Sequence, residues 1–281
     1  MEGRSYSAWV HRRPLLFRRD NQPTRRYCPS SMTAHWQLPL LFTTGLAAGF
    51  VDSIAGGGGL ITLPVLLSLG LGPREALGTN KLQATFGSAS AAVHYTAAKT
   101  VSVRECVRGF CFTLVGAAAG AITVQRVDPA FLRKAIPILL AAVAGYVLLK
   151  PKLGAQDVHP KMRRAPFEMI FGLGLGFYDG FFGPGTGTFW AVACVMGLGY
   201  NLTRATGYTK VMNFASNLSS LVLFLTGGRV DFIIGMVMGI GQLLGARIGS
   251  RMVIARGTRF IRPIFLAVVL GLTLKLLYDA W

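Results

Sequence analysis

Four ionisable residues lie where a mostly apolar chain should tolerate them least. Asp52 interrupts the run Leu38–Ile54, and Asp179 interrupts Met169–Trp190. Lys81 and Lys210 are expected at the openings of two further apolar segments. Each aspartate leads into a backbone that cannot hold a regular helix. Asp52 precedes Gly56, Gly57, Gly58 and Gly59, and Asp179 precedes Gly183-Pro184-Gly185. Every interior glycine costs a helix about 1 kcal/mol relative to alanine. Non-helical backbone at membrane depth survives only where protein or a water-filled cavity covers it. Paired breaks at matching places in two halves point to a ligand site. The restarted helices would aim free N–H groups and a positive dipole end at an anion. Gly56 to Gly59, Gly183 and Gly185 are therefore candidate binding backbone, with close glycine packing as the alternative.

The lysines extend that reading. From Lys210, residues Asn213, Asn217 and Ser220 follow at +3, +7 and +10, on one helical face. From Lys81 the same face carries Ser88, with Asn80 and Thr85 nearby. A polar stripe on a lipid-embedded helix faces the bundle interior. Lys81, Lys210, Asn213 and Asn217 are candidates for lining an anion path; the alternative is a pair of lysines reaching for the interface. Asp52 and Asp179 are candidates for proton coupling, against a purely structural role as caps at the breaks. Burial and a nearby anion both disfavour their carboxylates, and lysines or helix N–H groups favour them. Gly57-Gly58 and Pro184-Gly185 give the two breaks different backbones, so a pH response is expected at one site only.

The elements that position these residues follow from composition and repetition. Charged residues make up 14% of the 281, and 35 are glycine, whereas a soluble domain carries about 25% charged residues. Separate apolar runs of transmembrane length imply an all-α polytopic membrane protein. The chain also aligns with itself. Gly45–Asp52 matches Gly172–Asp179 at an offset of 127 residues, and Ala76–Lys81 matches Ala205–Lys210 at 129. Each half reads as five segments: 38–54, 60–70, 79–98, 106–124 and 131–149, then 167–182, 187–199, 207–226, 230–254 and 260–278. The second segment of each half is too short to span a bilayer core of about 30 Å. The expectation is about eight transmembrane helices in two homologous repeats with Gly-rich broken or re-entrant helices. The repeats would occupy 32–149 and 166–281, joined by a basic linker at 150–165. Gly116-xxx-Gly120 and Gly241-xxx-Gly245-xxx-Gly249 read as helix-packing stripes.

The formal net charge of +18 fits loops that obey the positive-inside rule. No zinc, RNP or basic–aromatic pattern supports nucleic-acid binding. Arg126, Arg133 and Lys134 flank one side of the fifth segment and Lys150, Lys152 and Lys161 the other, so loop charge sets no orientation. The four cysteines form no CxxC, and no histidine has metal-ligand spacing. No metal or cofactor is implied. Residues 1–31 carry seven arginines against Glu2 and Asp20, and read as a disordered basic extension, with Met32 a plausible true start. An organelle leader is the alternative.

The motifs together resemble a known family. Phe50-Val-Asp52-Ser-Ile-Ala-Gly-Gly-Gly-Gly59, Thr79-Asn-Lys81-Leu-Gln83, Gly176-Phe-Tyr-Asp179-Gly-Phe-Phe-Gly-Pro184-Gly and Gly241-Gln-Leu-Leu-Gly-Ala-Arg247-Ile-Gly-Ser-Arg251 look like the TauE/SafE sulfite-exporter-like permeases. They resemble in particular the YfcA-type bacterial branch. The likeness covers residue 35 to the C-terminus. It implies a multi-pass permease of the bacterial cytoplasmic membrane that moves a small anion, with sulfite and small organosulfonates as the substrate class. The competing functions are a passive anion channel and a membrane-embedded enzyme. The latter would need a clustered nucleophile and base, and the four histidines have no repeat partners.

Overall fold

The computed structural model describes residues 37–132, 134, 135, 138 and 159–257. The basic extension 1–31, most of both fifth segments and most of the linker lie outside them. Among the described residues the chain is helical without strands. The helices are α1 (Gln37–Ala55), α2 (Gly58–Ser68), α3 (Pro73–Ala97), α4 (Val103–Arg126), α5 (Arg164–Phe181), α6 (Thr186–Leu198), α7 (Leu202–Thr226) and α8 (Phe232–Arg256).

Six of these helices have 18 to 25 residues. The two short ones, α2 with 11 and α6 with 13, reach about 17 and 20 Å at 1.5 Å per residue. Three helices, α1, α4 and α8, are long and apolar enough to cross a membrane. The other long helices, α3, α5 and α7, are more polar along their length. Side-chain placement is inside-out relative to a water-soluble protein. Lys81 and Lys210 are buried, while Val93, Val107, Val115, Ile170 and Val222 are more than half exposed. An apolar exterior around buried charge is what lipid as solvent selects.

Helix starts follow local chemistry. Pro73 opens α3, where a missing N–H costs nothing. The Asn201 side chain accepts from Arg204 N at 2.9 Å and starts α7, and Asp231 accepts from Ile234 N at 3.0 Å and starts α8. These caps correct the expected boundaries. The third segment of each half begins at 73 and 202, earlier than 79 and 207, because Arg74, Glu75 and Arg204 hid the first turns from an apolar-run criterion. Lys81 and Lys210 therefore lie two turns inside their helices and do not open them. Helix α5 begins at Arg164, inside the stretch expected as linker.

Packing is reciprocal between the early and late helices. The most extensive contacts are α1 on α8 and α4 on α5. Both seams are built from glycine. A methyl group at Gly45 or Gly49 would collide with the carbonyls of Met238 and Gln242, and one at Gly241 or Gly245 with those of Phe42 and Leu46. In the other seam Gly116 and Gly120 press on the Leu173 and Phe177 carbonyls, and Gly176 and Gly180 on those of Thr113 and Ala117. Small residues let the backbones touch, which is how helices gain van der Waals contact in lipid. Between the seams, α3 packs on α8, α7 on α4, and α3 and α7 on each other. Two apolar clusters form around the short helices, one holding Leu60, Leu63 and Leu66 of α2, the other Trp190, Cys194 and Leu198 of α6.

Candidate functional site

The two helix breaks meet face to face. At Gly56 φ is +80°, at Gly183 +99° and at Gly185 +83°, a region that L side chains avoid. A Cβ on Gly56 would strike the backbone of Gly187, and one on Gly187 would strike Gly56. Thr188 Oγ1 donates to the Ala55 carbonyl at 2.9 Å, tying the start of α6 to the end of α1. Gly59 lies against Pro184. These glycines allow two irregular segments to cross at van der Waals distance.

Beside the crossing, each lysine pairs with the aspartate of the other half. Lys81 Nζ donates to Asp179 Oδ1 at 2.7 Å, to the Asp179 carbonyl at 2.5 Å and to Asn217 Oδ1 at 3.3 Å. Lys210 Nζ donates to Asp52 Oδ2 at 3.0 Å. Side-chain exposures are 1% and 5% for Lys81 and Asp179, and 0% and 14% for Lys210 and Asp52. Such lysines do not reach an interface, so the interfacial alternative fails. The aspartates are held from other directions too. Gly58 N, at the start of α2, donates to Asp52 Oδ1 at 3.3 Å, and Ser216 Oγ donates to Asp179 Oδ2. Asp52 is therefore both a cap at its break and an ion-pair partner.

A cavity of about 30 Å³ sits among these groups. Its walls include Asp52, Asp179, Asn80, Asn213, Asn217 and Gln242, with backbone at Gly56, Gly59, Gly183 and Gly185. Gly57, Gly58, Lys81 and Lys210 are not among its lining residues; the ammonium groups sit behind their carboxylates. Asn80 Oδ1 is committed, accepting from Thr62 Oγ1 at 2.6 Å and Gln83 Nε2 at 2.8 Å. By contrast Asn213 Oδ1 and Gln242 Oε1 are buried without a hydrogen-bond partner among the described residues. A buried unsatisfied amide costs about 1–3 kcal/mol, and a half-turn lets either amide present oxygen or N–H to the cavity. Sequence reading missed Ser216 and Thr188. Ser216 lies off the face set by Lys210, and only the fold brings Thr188 to α1.

A second polar cluster lies away from this centre. Glu168, 2% exposed, receives Arg164 Nε at 2.8 Å and a hydrogen bond from Tyr208 at 3.4 Å. Glu105 receives Arg204 at 3.2 Å and Arg164 at 3.6 Å, and the Arg204 guanidinium lies 4.1 Å over the Tyr200 ring. The cluster pins the starts of α4, α5 and α7 together. Cys106, Cys111 and Cys194 are free thiols, and His94 Nδ1 bonds the Ser90 carbonyl of its own helix at 2.7 Å.

Comparison with known proteins places this architecture. Residues 41–276 match the family model described as sulfite exporter TauE/SafE. The chain is 46% identical over 243 residues to the "Probable membrane transporter protein YfcA" of Escherichia coli K12, covering 86% of this chain and 90% of that protein. It is 44% identical over 242 residues to a "Probable membrane transporter protein" of Haemophilus influenzae, covering 86% and 95%. A more distant relative is "Probable membrane transporter protein YjnA" of Bacillus subtilis, 24% identical over 251 residues. No solved structure matches the chain.

Proposed function

The chain belongs to the sulfite exporter TauE/SafE family of membrane transporters, and on that premise we propose that it is a multi-pass secondary transporter of the cell membrane that moves a small anion together with a proton. The substrate class is sulfite or a small organosulfonate. The observation that carries the reading is the pair of crossed, buried Lys–Asp bridges beside the cavity at the helix breaks.

Charge balance turns that geometry into a mechanism. Two lysines and two aspartates sum to zero. Burying a charge without a partner is costly, and removing one member of a buried pair costs several kcal/mol. An anion cannot simply be added to a neutral site in low dielectric. If one aspartate takes a proton it no longer neutralises its lysine, and an incoming anion restores the balance. The site is then neutral with or without cargo. Protonation and anion binding favour each other, and the linkage is reciprocal. Affinity should therefore rise as pH falls. The Asn213 and Gln242 amides, which can turn N–H groups to the cavity, supply uncharged donors for the anion's oxygens.

Cavity size supports exchange over an open pore. About 30 Å³ holds one or two waters, so an oxyanion enters only when a bridge opens. The test is uptake into proteoliposomes of sulfite, sulfate, thiosulfate and small sulfonates, with and without an imposed pH gradient. One of these should accumulate uphill when the anion side is acid. Flux that only runs downhill and ignores the pH gradient would make the protein a passive pore. A thermal-shift screen identifies the cargo independently, since a ligand at 100 times its dissociation constant adds about 2.7 kcal/mol.

A further inference from the structure

The second polar cluster borders a surface site that the transport reading does not use. The segment before α5 is fixed to the end of α6: the backbone N–H groups of Lys161 and Met162 donate to the Gly197 carbonyl at 2.9 and 3.0 Å. On one side of that segment lies a pocket of about 570 Å³ whose lining includes Lys161, Arg163, Arg164, Tyr200 and Arg204 and no acidic residue. On the other side lies a groove of about 560 Å³ between α5 and α6, lined by Phe171, Leu175, Phe189, Val192 and Met196. Lys161 and Met162 line both cavities, so the two adjoin across that segment.

The chemistry of the two compartments differs sharply. Arg164 and Arg204 are engaged with Glu105 and Glu168, which fixes their guanidinium groups in place. Lys161 and Arg163 are exposed and make no ion pair among the described residues. The pocket thus carries two unneutralised cations beside two positioned ones. The groove bears no charge beyond Lys161 at its mouth. Phe171 and Leu175 of α5 form one wall and Phe189 to Gly197 of α6 the other.

We propose that this composite cavity binds one anionic phospholipid, its phosphate in the basic pocket and an acyl chain in the α5–α6 groove. A free oxyanion would use the cations and leave the groove to no purpose. A zwitterionic lipid would fill the groove but meet the cations with a balanced headgroup. Basic pockets between membrane helices take anionic headgroups for this reason. The surface is also confined to one half. At the repeat offset of 127 residues, Lys161, Arg163 and Arg164 align with Ala34, Trp36 and Gln37, so the chain holds the lysine and two arginines once and not twice. The lipid would clamp the start of α5 to α6, the two arms of the second break.

The experiment uses the full chain in detergent with added phosphatidylglycerol, phosphatidylcholine or inorganic phosphate. Thermal unfolding and native mass spectrometry are the readouts. Phosphatidylglycerol should raise the midpoint by roughly 5 °C over phosphatidylcholine, with one retained lipid. Lys161→Ala with Arg163→Ala, both exposed and unpaired, should lose most of that difference without lowering the lipid-free midpoint. Val192→Trp, which fills the groove and leaves the cations, should lose the retained lipid as well. Equal shifts from both lipids, or a double variant that keeps the phosphatidylglycerol shift, would overturn the proposal. So would a shift reproduced by inorganic phosphate alone, which would assign the pocket to a free anion.

Discussion

The Lys81–Asp179 bridge and the Lys210–Asp52 bridge are built from the same residue types, yet they are not equally tight. Lys81 reaches three acceptors, and its aspartate is also held by Ser216. Among the described residues Lys210 has one hydrogen bond, to Asp52, whose other oxygen takes the 3.3 Å contact from Gly58 N. Asp52 is also the more exposed carboxylate, at 14% against 5%. Under the proposed function the difference would give the two sites separate duties: the buried, over-determined bridge would hold the helices, and the looser one would be where a proton and an anion exchange for each other.

The largest effect that would break this comparison is on stability. Asp179→Asn strands Lys81 in the interior and should cost about 3–5 kcal/mol, read as thermal unfolding in detergent. Adding Lys81→Met removes both charges and should restore most of the loss. A double variant no more stable than Asp179→Asn alone would mean that this bridge does not hold the helices.

Next in size come the glycine seams. Gly45→Ala and Gly180→Ala each drive a methyl into a carbonyl of the facing helix and should cost about 1–3 kcal/mol, as overpacking does. Similar losses would mark the seams as equivalent even though the bridges differ. Gly174 faces open space, so Gly174→Ala serves as the control and should be neutral or slightly stabilising.

The most informative functional change should come from Asp52→Asn. Lys210, 0% exposed, would lose its ion-pair partner, so the loss of stability should again be about 3–5 kcal/mol. In the parent, anion affinity measured from pH 5 to pH 8 should weaken as pH rises. The slope reaches at most about tenfold per pH unit where one proton is taken up with each anion. Asp52→Asn should flatten that dependence, and Asp179→Asn should keep it. The same slope in all three proteins would return both aspartates to structural caps.

Much of this arrangement was legible in the sequence, and the reason is duplication of pattern. Asp52, Asp179, Lys81 and Lys210 stand out because an apolar chain aligned on itself makes each point to its counterpart. The glycine stripes were legible because spacing of four defines a helix face. The crossed bridges were not. Spacing relates residues on one helix, and Lys81 is 98 positions from Asp179, so only packing across the α3, α5 and α7 elements decides that they meet. The starts of α3 and α7 escaped notice because their first turns carry Arg74, Glu75 and Arg204 and are not apolar. Gln242 stands next to a glycine stripe that reads as packing, and neither its place at the cavity nor its unpartnered oxygen follows from spacing.

The glycine seams carry a mechanical consequence. Helices pressed backbone to backbone cannot slide without first parting, so α1 with α8 and α4 with α5 behave as two stiff beams, each joining an early helix to a late one. Helix α3 lies along the first beam and α7 along the second, and the two face each other as a pivot. Seen this way, both Lys–Asp bridges are latches thrown across the pivot: Lys81 rides on one beam and grips Asp179 on the other, while Lys210 and Asp52 do the reverse. A covalent tie between α1 and α8 should leave transport running, whereas one between α3 and α7 should stop it; arrest by both would mean that the seams themselves move. On this kinematics the cargo does not push a door open. Under the proposed function it would take up the load that one latch carries and free the beams to rock.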